Sequence, residues 1–493
     1  MDQLNALKRS GEGPLRRKLS IGIIALSQIP DDPRVRRQGD AFTRAGWDVV
    51  GIGLAGSKSS PPSWPIRDET DLPLPAPVGQ VEENKSDPLP KFLPDGLTTG
   101  QKLIRLATAP DQLYFAVRKR ACAVAVKLGL KSPDIAAIVR RTARVTGLSW
   151  TRRQTLRRLG QVRYVLRMQA PRLLPHTAES AFWRLNSRFD DLYRLGMEHR
   201  PDIWLANDWT ALPIARRLAR QSGAILVYDT HELAADEYTE RLQWRLLHRP
   251  VTVAIEGDCM KEAQLVTCVS DGIADRLQEL YGLKKRPIVI RNTPSYQEMP
   301  FRPVGERIEV LYHGIVSPGR GLEACIASVA KWRPEFRLTI RGPVSPEYRS
   351  HLEARIAENR VGDRVRLVPP VPMTDLVREA NAFDIGLFAL PDHSRHNRFA
   401  LPNKFFEYTM AGLALCVSDL PEMARLLKQY DLGVLFAGME PETIAAAINS
   451  FNRESIEHHK RRSLEAARDL NWQKESETLI SLCEQLVDTN RKS

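Results

Sequence analysis

The sequence has few of the features that mark membrane-spanning, disulfide-bonded or zinc-binding proteins. No apolar run approaches the ~18 residues that a bilayer-spanning helix requires. The 493 residues include only six cysteines, none in a Cys-x-x-Cys pair, which argues against a disulfide framework or a structural zinc site. The basic stretch 1–18 lacks a cleavage signal, so we interpret it as a disordered lead-in and not as a signal peptide. These absences favour a cytosolic protein with reduced thiols. The length of 493 residues predicts two or three domains.

Most of the chain consists of apolar, strand-length runs that alternate with helical patterns. Strands that are each followed by a helix imply parallel sheets covered on both faces. Residues 293–307 have turn and linker chemistry and separate two such series. The sequence therefore predicts an α/β protein with two doubly wound, Rossmann-like domains that face a cleft, residues 19–292 and 308–470. The strand-like runs are LSIGIIAL, WDVVGIGL, DIWLA, AILVYD, LVTCVS and PIVIRN, then IEVLYHG, FRLTIRG, RVRLVPP, FDIGLFAL, LALCVS and LGVLFA.

The net charge of +13 is concentrated in one segment of the chain. Residues 101–200 contain 21 Lys and Arg residues against six Asp and Glu residues, and their pattern is largely helical. Together with an irregular stretch at 56–100 they form a predicted insert, residues 56–200, in the first domain. Within it, residues 152–167 place most arginines opposite Leu and Val on a helical wheel. Such a helix can lie on an anionic membrane surface or cover the first domain, and both interpretations stay open. Nucleic-acid binding is disfavoured, because the segment contains no recognisable DNA- or RNA-binding module.

The stretch LPNKFFEYTMAG (401–412) combines a cation and a carboxylate at a predicted helix start. This helix follows the loop after strand FDIGLFAL, so its free N–H groups and positive dipole end point into the cleft and suit an anion. Lys404 has the right charge for a phosphate. Glu407 is better suited to accept two hydrogen bonds from a vicinal diol such as a ribose. The pattern indicates a nucleotide, although solvated first-turn charges beside a buried helix face would look the same.

A second stretch, YHGIVSPGRGLEACI (312–326), leaves the first strand of the same domain and turns into a helix. Its glycines allow the backbone to approach a diphosphate closely, and Arg320 at the helix entrance can bind two phosphate oxygens. The spacing fits neither a Gly-x-Gly-x-x-Gly nucleotide fingerprint nor a Walker loop, which argues against hydride transfer and NTP hydrolysis. Since no convincing Asp-x-Asp or histidine cluster is present, we expect no catalytic metal.

These pieces resemble the glycosyltransferase family 4 group, which comprises retaining, nucleotide-sugar-dependent enzymes with the GT-B fold, here of the bacterial cell-surface polysaccharide type. The likeness covers residues 19–54 and about 200–490 and leaves the insert outside. Residues 471–493 look like the terminal helix that returns to the first domain in this fold. The segments that carry the likeness are DPRVRRQGDAFTRAGWDVV, PDIWLANDWTALPIARRLA, VYDTHEL, VTCVSDGIADRL, IRNTP, LYHGIVSPGRGLE and LPNKFFEYTMAGLALCVSDLPEM.

The resemblance implies a role for each matching residue. Arg320 and Lys404 would hold the donor diphosphate, and Glu407 the ribose. His231 would contact the transferred sugar without acting as a nucleophile; without the resemblance, a capped turn at a strand end explains it equally well. The implied catalytic residues are His231, Arg320, Lys404 and Glu407; the donor-binding residues are Gly314, Gly319, Val371 (at the base, through main-chain atoms), Asn397, Leu401, Pro402 and Asn403; the acceptor-side residues are Arg34 and Asp208. No cofactor is implied beyond the nucleoside-diphosphate sugar, which is the donor substrate.

One departure from the family pattern keeps two function classes open. The family often carries a glutamate eight positions before the one matching Glu407, where it contacts the donor sugar, and Phe399 stands there in this chain. Asn397 and His396 are the candidate substitutes. The leading expectation is a metal-independent hexosyltransferase acting on a glycan or lipid-linked acceptor, in the cytoplasm or at the inner face of the membrane. The alternative is a GT-B protein without transfer activity: a sugar-nucleotide epimerase, a hydrolase or a degenerate binding subunit.

Overall fold

The computed structural model describes residues 17–72, 164–166, 169–171, 174 and 177–492. The chain divides into two compact units, the larger formed by Met1–Leu72, Phe182–Arg245 and Thr252–Ser493. The smaller unit, Pro73–Ala181 with Leu246–Val251, holds most of the predicted basic insert. Of the predicted insert, residues 73–163 lie outside the described residues, and so does its arginine-faced segment 152–167 apart from 164–166. The lead-in up to residue 16 also lies outside them. No helix that the structure describes is both long and apolar enough to cross a bilayer.

The first sheet is seven-stranded and entirely parallel, in the order β3-β2-β1-β4-β5-β6-β7. The strand order reverses between β1 and β4, and ligands of such sheets bind beyond the carboxyl ends of the strands at this point. The strands are β1 (Ser20–Ala25), β2 (Asp48–Ile52), β3 (Ile66–Arg67), β4 (Ile203–Asn207), β5 (Ile225–Thr230), β6 (Leu265–Cys268) and β7 (Ile288–Val289). The α-helices that the structure describes in this part of the chain are α1 (Pro33–Arg44), α2 (Ala178–Phe182), α3 (Arg188–Met197), α4 (Asp208–Ser222), α5 (Arg249–Met260) and α6 (Asp271–Tyr281).

Packing at the centre of this sheet explains one glycine of the first strand. Gly22 pairs in register with Trp204 on β4, whose ring is fully buried. A Cβ atom at position 22 would lie 2.3 Å from that ring, so only glycine leaves room for the indole. The resulting core fixes β1 against β4 and thereby the strand ends that carry the site.

The second sheet is six-stranded and parallel, in the order β10-β9-β8-β11-β12-β13, and its order reverses between β8 and β11. The strands are β8 (Ile308–His313), β9 (Phe336–Arg341), β10 (Val365–Val368), β11 (Ile385–Phe388), β12 (Ala414–Ser418) and β13 (Gly433–Phe436). The helices are α7 (Leu322–Val329), α8 (Pro346–Glu358), α9 (Leu376–Ala380), α10 (Arg395–Phe399), α11 (Asn403–Met410), α12 (Pro421–Tyr430), α13 (Pro441–Ser450) and α14 (Arg453–Ala466). Two doubly wound parallel sheets confirm the predicted fold class.

The last helix, α15 (Trp472–Lys492), packs into the core of the first domain although it follows the second in sequence. Trp472, Leu479, Cys483 and Val487 belong to the same buried cluster as strand residues of the first sheet. The Trp472 indole N–H also donates to the carbonyl oxygen of Arg37 on α1 at 3.0 Å. The helix therefore ties the two domains together.

Candidate functional site

The carboxyl ends of β8 and β11 bring the two predicted phosphate-binding residues to one place. Arg320 lies on the loop that leaves β8, and Lys404 lies in the first turn of α11, which follows β11. Both residues therefore stand where the strand order reverses, the position at which this class of sheet binds ligands.

Lys404 is a buried cation that forms no ion pair within the part of the chain that the structure describes. Its side chain is 9% exposed, and its ammonium lies 4.5 Å from the ring centroids of both Tyr312 and Phe388. The Tyr312 hydroxyl accepts a 3.3 Å hydrogen bond from it, and no carboxylate in the described part of the chain forms an ion pair with it. Burial, followed by the charge of Arg320, lowers the pKa of Lys404 to about 7. Such a group gains free energy when an anion binds beside it.

The loop from Gly314 to Gly321 is shaped to let these cations approach a ligand. Gly314 has a φ of 119°, and a Cβ at this position would lie 2.9 Å from the Lys404 ammonium, so a side chain there would block Lys404. Gly319 and Gly321 also have positive φ. Arg320 is half-buried and has no ion-pair partner within the described ranges.

The N-terminus of α11 adds backbone donors beside the two cations. Leu401 is buried, and Pro402 takes the cap position without any side-chain hydrogen bond to the helix. The first N–H group of the helix, that of Asn403, is therefore not capped by a side chain. Val371 follows β10 by three residues, at the same edge of the sheet.

We expect donor binding to take up a proton through Lys404. With a pKa of about 7 in the free protein, Lys404 is mostly neutral at pH 8 and protonated at pH 6, and a bound diphosphate raises its pKa. Calorimetry of a nucleotide sugar in buffers of different ionisation enthalpy should show uptake approaching one proton at pH 8 and little at pH 6. Affinity should fall by up to about tenfold per pH unit above 7. Absence of uptake at pH 8, or equal uptake by Lys404→Met, would contradict this role.

Glu407 points toward the same region and is held as an anion. Its Oε2 lies 2.9 Å from Nε2 of His313 at the end of β8. Burial alone would raise the pKa of Glu407, but His313, Arg37 and Lys404 together lower it. An ionised carboxylate at this place can accept hydrogen bonds from two neighbouring hydroxyl groups.

In the first domain, His231 follows β5 and contacts groups at the ends of two strands. Its Nε2 lies 2.9 Å from Asn207 Oδ1 and 3.4 Å from Asp229 Oδ2, and its Nδ1 lies 3.6 Å from Asp208 Oδ2. Burial lowers the pKa of His231, but the two carboxylates outweigh it and raise the pKa to about 9. A protonated imidazole donates hydrogen bonds and cannot act as a nucleophile or base at neutral pH.

Asp208, one of the two predicted acceptor-side residues, remains accessible. Its side chain is 42% exposed, and its backbone has a positive φ of 65° at the point where β4 passes into α4. Burial raises the pKa of the carboxyl group, while His231 opposes that effect. Asp208 can therefore receive a hydrogen bond from a hydroxyl group that enters beside His231.

The other predicted acceptor-side residue, Arg34, lies in a buried ion pair. Its guanidinium is 1% exposed and makes two 2.7 Å hydrogen bonds to the carboxylate of Asp229. A further bond reaches the carbonyl oxygen of Ile290. Gln38 and Thr267 donate to the same Asp229 carboxylate. Arg34 therefore lies in a buried network that fixes Asp229, although its Nη1 has no hydrogen-bond partner in this network.

Phe399 contacts the first domain. A Cβ at Gly272 would lie 2.3 Å from the Phe399 ring, and Ser270 Oγ donates to the Phe399 carbonyl oxygen at 2.7 Å. Both candidate substitutes for the sugar-binding glutamate of the family already contact other protein groups. His396 pairs with Glu232 of the first domain at 2.8 Å, and the Asn397 amide donates to Pro391 O at 2.9 Å.

His313 and Arg37 were not anticipated from the sequence. His313 ends an apolar strand and resembles a core residue, and Arg37 lies in a helix far from the second domain in sequence. The only signal for His313 was its position directly before Gly314, in a strand-end segment already assigned to the site.

One group in the described ranges has the composition of a metal site, namely Asp431, His458 and His459. Asp431 lies between α12 and β13, at the opposite edge of the sheet from Lys404, and the two histidines lie on α14. The group is largely exposed, and the histidines already hydrogen-bond to Asp431. It is thus separate from the candidate site.

Two family models match the chain. The model described as Glycosyltransferase Family 4 matches residues 135–293, and that described as Glycosyl transferases group 1 matches residues 299–469. The first match begins inside the basic segment 101–200, so the expectation that the insert lies outside the family likeness was wrong from residue 135 onward. A search of curated proteins finds no match.

Solved structures share the fold at low sequence identity. Sucrose-phosphate synthase from Thermosynechococcus elongatus has a TM-score of 0.59 and 14% identity, with 96% of this chain and 100% of that chain covered. Anabaena HepE, in complex with UDP and glucose, has a TM-score of 0.57 and 13% identity, with 94% and 100% covered. WaaG, a glycosyltransferase involved in lipopolysaccharide biosynthesis, has a TM-score of 0.52 and 12% identity, with 94% and 99% covered. Together the two models cover more than half of the chain, and the chain therefore belongs to glycosyltransferase family 4 and has the GT-B fold.

Proposed function

We propose that the protein is a retaining glycosyltransferase that moves a hexose from a nucleoside-diphosphate sugar to a glycan or lipid-linked acceptor. The observation that carries this proposal is the pair of cations at the carboxyl edge of the second sheet. Within the described residues, neither the buried Lys404 nor Arg320 beside it forms an ion pair. Two adjacent cations and an open helix N-terminus match the two phosphates of a sugar nucleotide.

In the proposed reaction, the bond between the sugar C1 and the diphosphate oxygen breaks as the acceptor hydroxyl approaches from the same face. Positive charge develops on the sugar ring, and negative charge gathers on the departing phosphate. Lys404 and Arg320 stabilise that negative charge more in the transition state than in the ground state. The departing phosphate takes the proton of the acceptor hydroxyl, so no protein nucleophile and no metal take part.

The first domain supplies the groups beside the sugar and the acceptor. His231, protonated at neutral pH, donates a hydrogen bond to a sugar hydroxyl. Asp208, next to it, accepts from the acceptor hydroxyl and orients it. Glu407 holds the ribose of the donor.

The proposed setting is the synthesis of a surface polysaccharide or glycoconjugate at the cytoplasmic face of a membrane. WaaG is involved in lipopolysaccharide biosynthesis, and the HepE complex contains UDP, which supports a nucleotide-sugar donor and a glycan acceptor here. Residues 101–200 are the proposed contact with an anionic membrane surface because of their positive charge.

Acceptor-dependent release of nucleoside diphosphate tests the proposal. The protein is incubated with UDP, GDP and dTDP sugars, with and without free or lipid-linked oligosaccharides. We expect release that requires both a donor and an acceptor. Arg320→Ala should lower the rate about 10²–10³-fold, since removal of one such donor typically has that effect. Arg355→Ala, at an exposed arginine of α8 paired with Glu358, is the matched control and should retain the wild-type rate. Near-normal turnover in Arg320→Ala would contradict the diphosphate assignment.

Phe399 supports a second candidate function, a GT-B protein that binds nucleotide sugars without transfer. The phenylalanine packs against Gly272 where the family often has a sugar-binding glutamate, so one contact to the donor sugar is missing. Nucleotide-sugar binding without acceptor-dependent release would support a binding subunit. Release or isomerisation of the sugar without any acceptor would support a hydrolase or an epimerase.

A further inference from the structure

The ribose-binding role of Glu407 requires a fixed carboxylate. Two hydroxyl groups of one ring can be bound together only if both carboxylate oxygens keep their orientation. Glu407 is a flexible side chain on the first turns of α11, and its residue is not fully buried. A neighbouring group must therefore set its rotamer.

His313 is placed to do so. It is 1% exposed, and its Nε2 lies 2.9 Å from Glu407 Oε2. No Lys or Arg side chain in the described residues lies within ion-pair distance of Glu407; Arg37 and Lys404 act on its pKa from further away. Among the described residues, His313 therefore makes the one side-chain contact with this carboxylate at ion-pair distance.

Tyr408 contacts His313 in two ways. Its ring packs against the ring of Tyr408, with centroids 4.7 Å apart at an interplanar angle of 30°. Its backbone N–H donates to the Tyr408 hydroxyl at 2.9 Å. Because His313 ends β8 and Tyr408 lies next to Glu407 on α11, these contacts link the strand end to the helix that carries Glu407.

We propose that His313 is a positioning residue that orients Glu407 and thereby makes the site select ribonucleoside over 2′-deoxyribonucleoside diphosphates. This inference rests on the proposed function, in which Glu407 binds the donor ribose. Loss of one hydrogen bond to a charged group typically lowers affinity about 10- to 100-fold. We therefore expect the wild-type protein to bind UDP or GDP at least tenfold more tightly than the 2′-deoxy counterpart.

Two amide substitutions at position 313 form a matched pair. In His313→Gln the amide nitrogen reaches about as far from the backbone as the imidazole Nε2, so it can still donate to Glu407. In His313→Asn the amide is one carbon shorter and cannot reach. We expect the ribose-to-deoxyribose affinity ratio to be retained in His313→Gln and to fall below about threefold in His313→Asn, at similar melting temperatures.

His313→Gln and His313→Asn are also combined with Glu407→Ala as a second control. There the two amide variants should bind each nucleotide equally, because the group they orient is absent. An Asn variant that keeps the wild-type ratio, or one that loses affinity for both nucleotides equally, would overturn the positioning role. If the wild-type protein binds no nucleoside diphosphate, the proposed function itself fails. A wild-type preference for ribose that survives both substitutions refutes only the role of His313.

Discussion

Replacement of Lys404 with methionine is expected to lower the rate of sugar transfer about 10²–10³-fold and, at the same time, to stabilise the folded protein. The rate falls because one of the two cations that face the departing phosphate is lost. The stability rises because methionine has a similar length and removes a charge that is buried among aromatic rings without an anionic partner.

The stability difference should depend on pH in a defined direction. The pKa of Lys404 is 10.5 in a solvated chain and about 7 in the folded one, so between these values the unfolded chain binds more protons. The wild-type free energy of unfolding should therefore rise, relative to that of Lys404→Met, from about pH 7 toward pH 10. Below pH 7 the destabilisation by the buried charge is fully present.

Thermal unfolding and donor turnover of the same preparations test this pair of effects. Lys331→Met is the matched control, because Lys331 is exposed and paired with Glu442, and it should change neither quantity by much. A Lys404→Met protein that is less stable and still active would show that Lys404 is a structural residue and not a phosphate ligand.

The second large effect is expected at the buried network beneath His231. Asp229→Ala removes the only carboxylate that pairs with Arg34 in the described chain, and leaves a fully buried guanidinium without its partner. Loss of one member of a buried ion pair typically lowers the free energy of unfolding by about 3–5 kcal/mol. Denaturant unfolding at pH 7 should show a decrease of this size.

A variant that removes both charges separates this explanation from a general packing defect. Arg34→Met combined with Asp229→Leu should recover much of the lost stability, because the double variant removes both members of the buried ion pair. Arg34→Met alone should be destabilised like Asp229→Ala. If instead it kept wild-type stability and raised only the KM for the acceptor, Arg34 would line the acceptor site after all.

The parts of the fold and site that were predictable depend on local patterns. The two parallel sheets follow from apolar runs that alternate with helical segments, and Lys404 was identifiable because a cation in the first turn of a helix after a buried strand is a local signal. The pairing of Arg34 with Asp229 spans 195 positions, and nothing near Arg34 indicates that its guanidinium is already occupied.

The contacts of Phe399 and His313 also could not be predicted from the sequence around each residue. The sequence shows that Phe399 departs from the family pattern, but its contact with Gly272 depends on how the two domains meet. His313 looks like a strand residue of the core, and its contact with Glu407 arises only when β8 and α11 are packed. Roles that depend on contacts between distant elements could not be read from either segment alone.

The most direct test of the central claim is a crystal structure with a bound nucleoside-diphosphate sugar. We expect both phosphates between the Arg320 guanidinium, the Lys404 ammonium and the first N–H groups of α11, with the ribose hydroxyls on Glu407. A nucleotide bound elsewhere, with Lys404 still contacting only Tyr312 and Phe388, would contradict it.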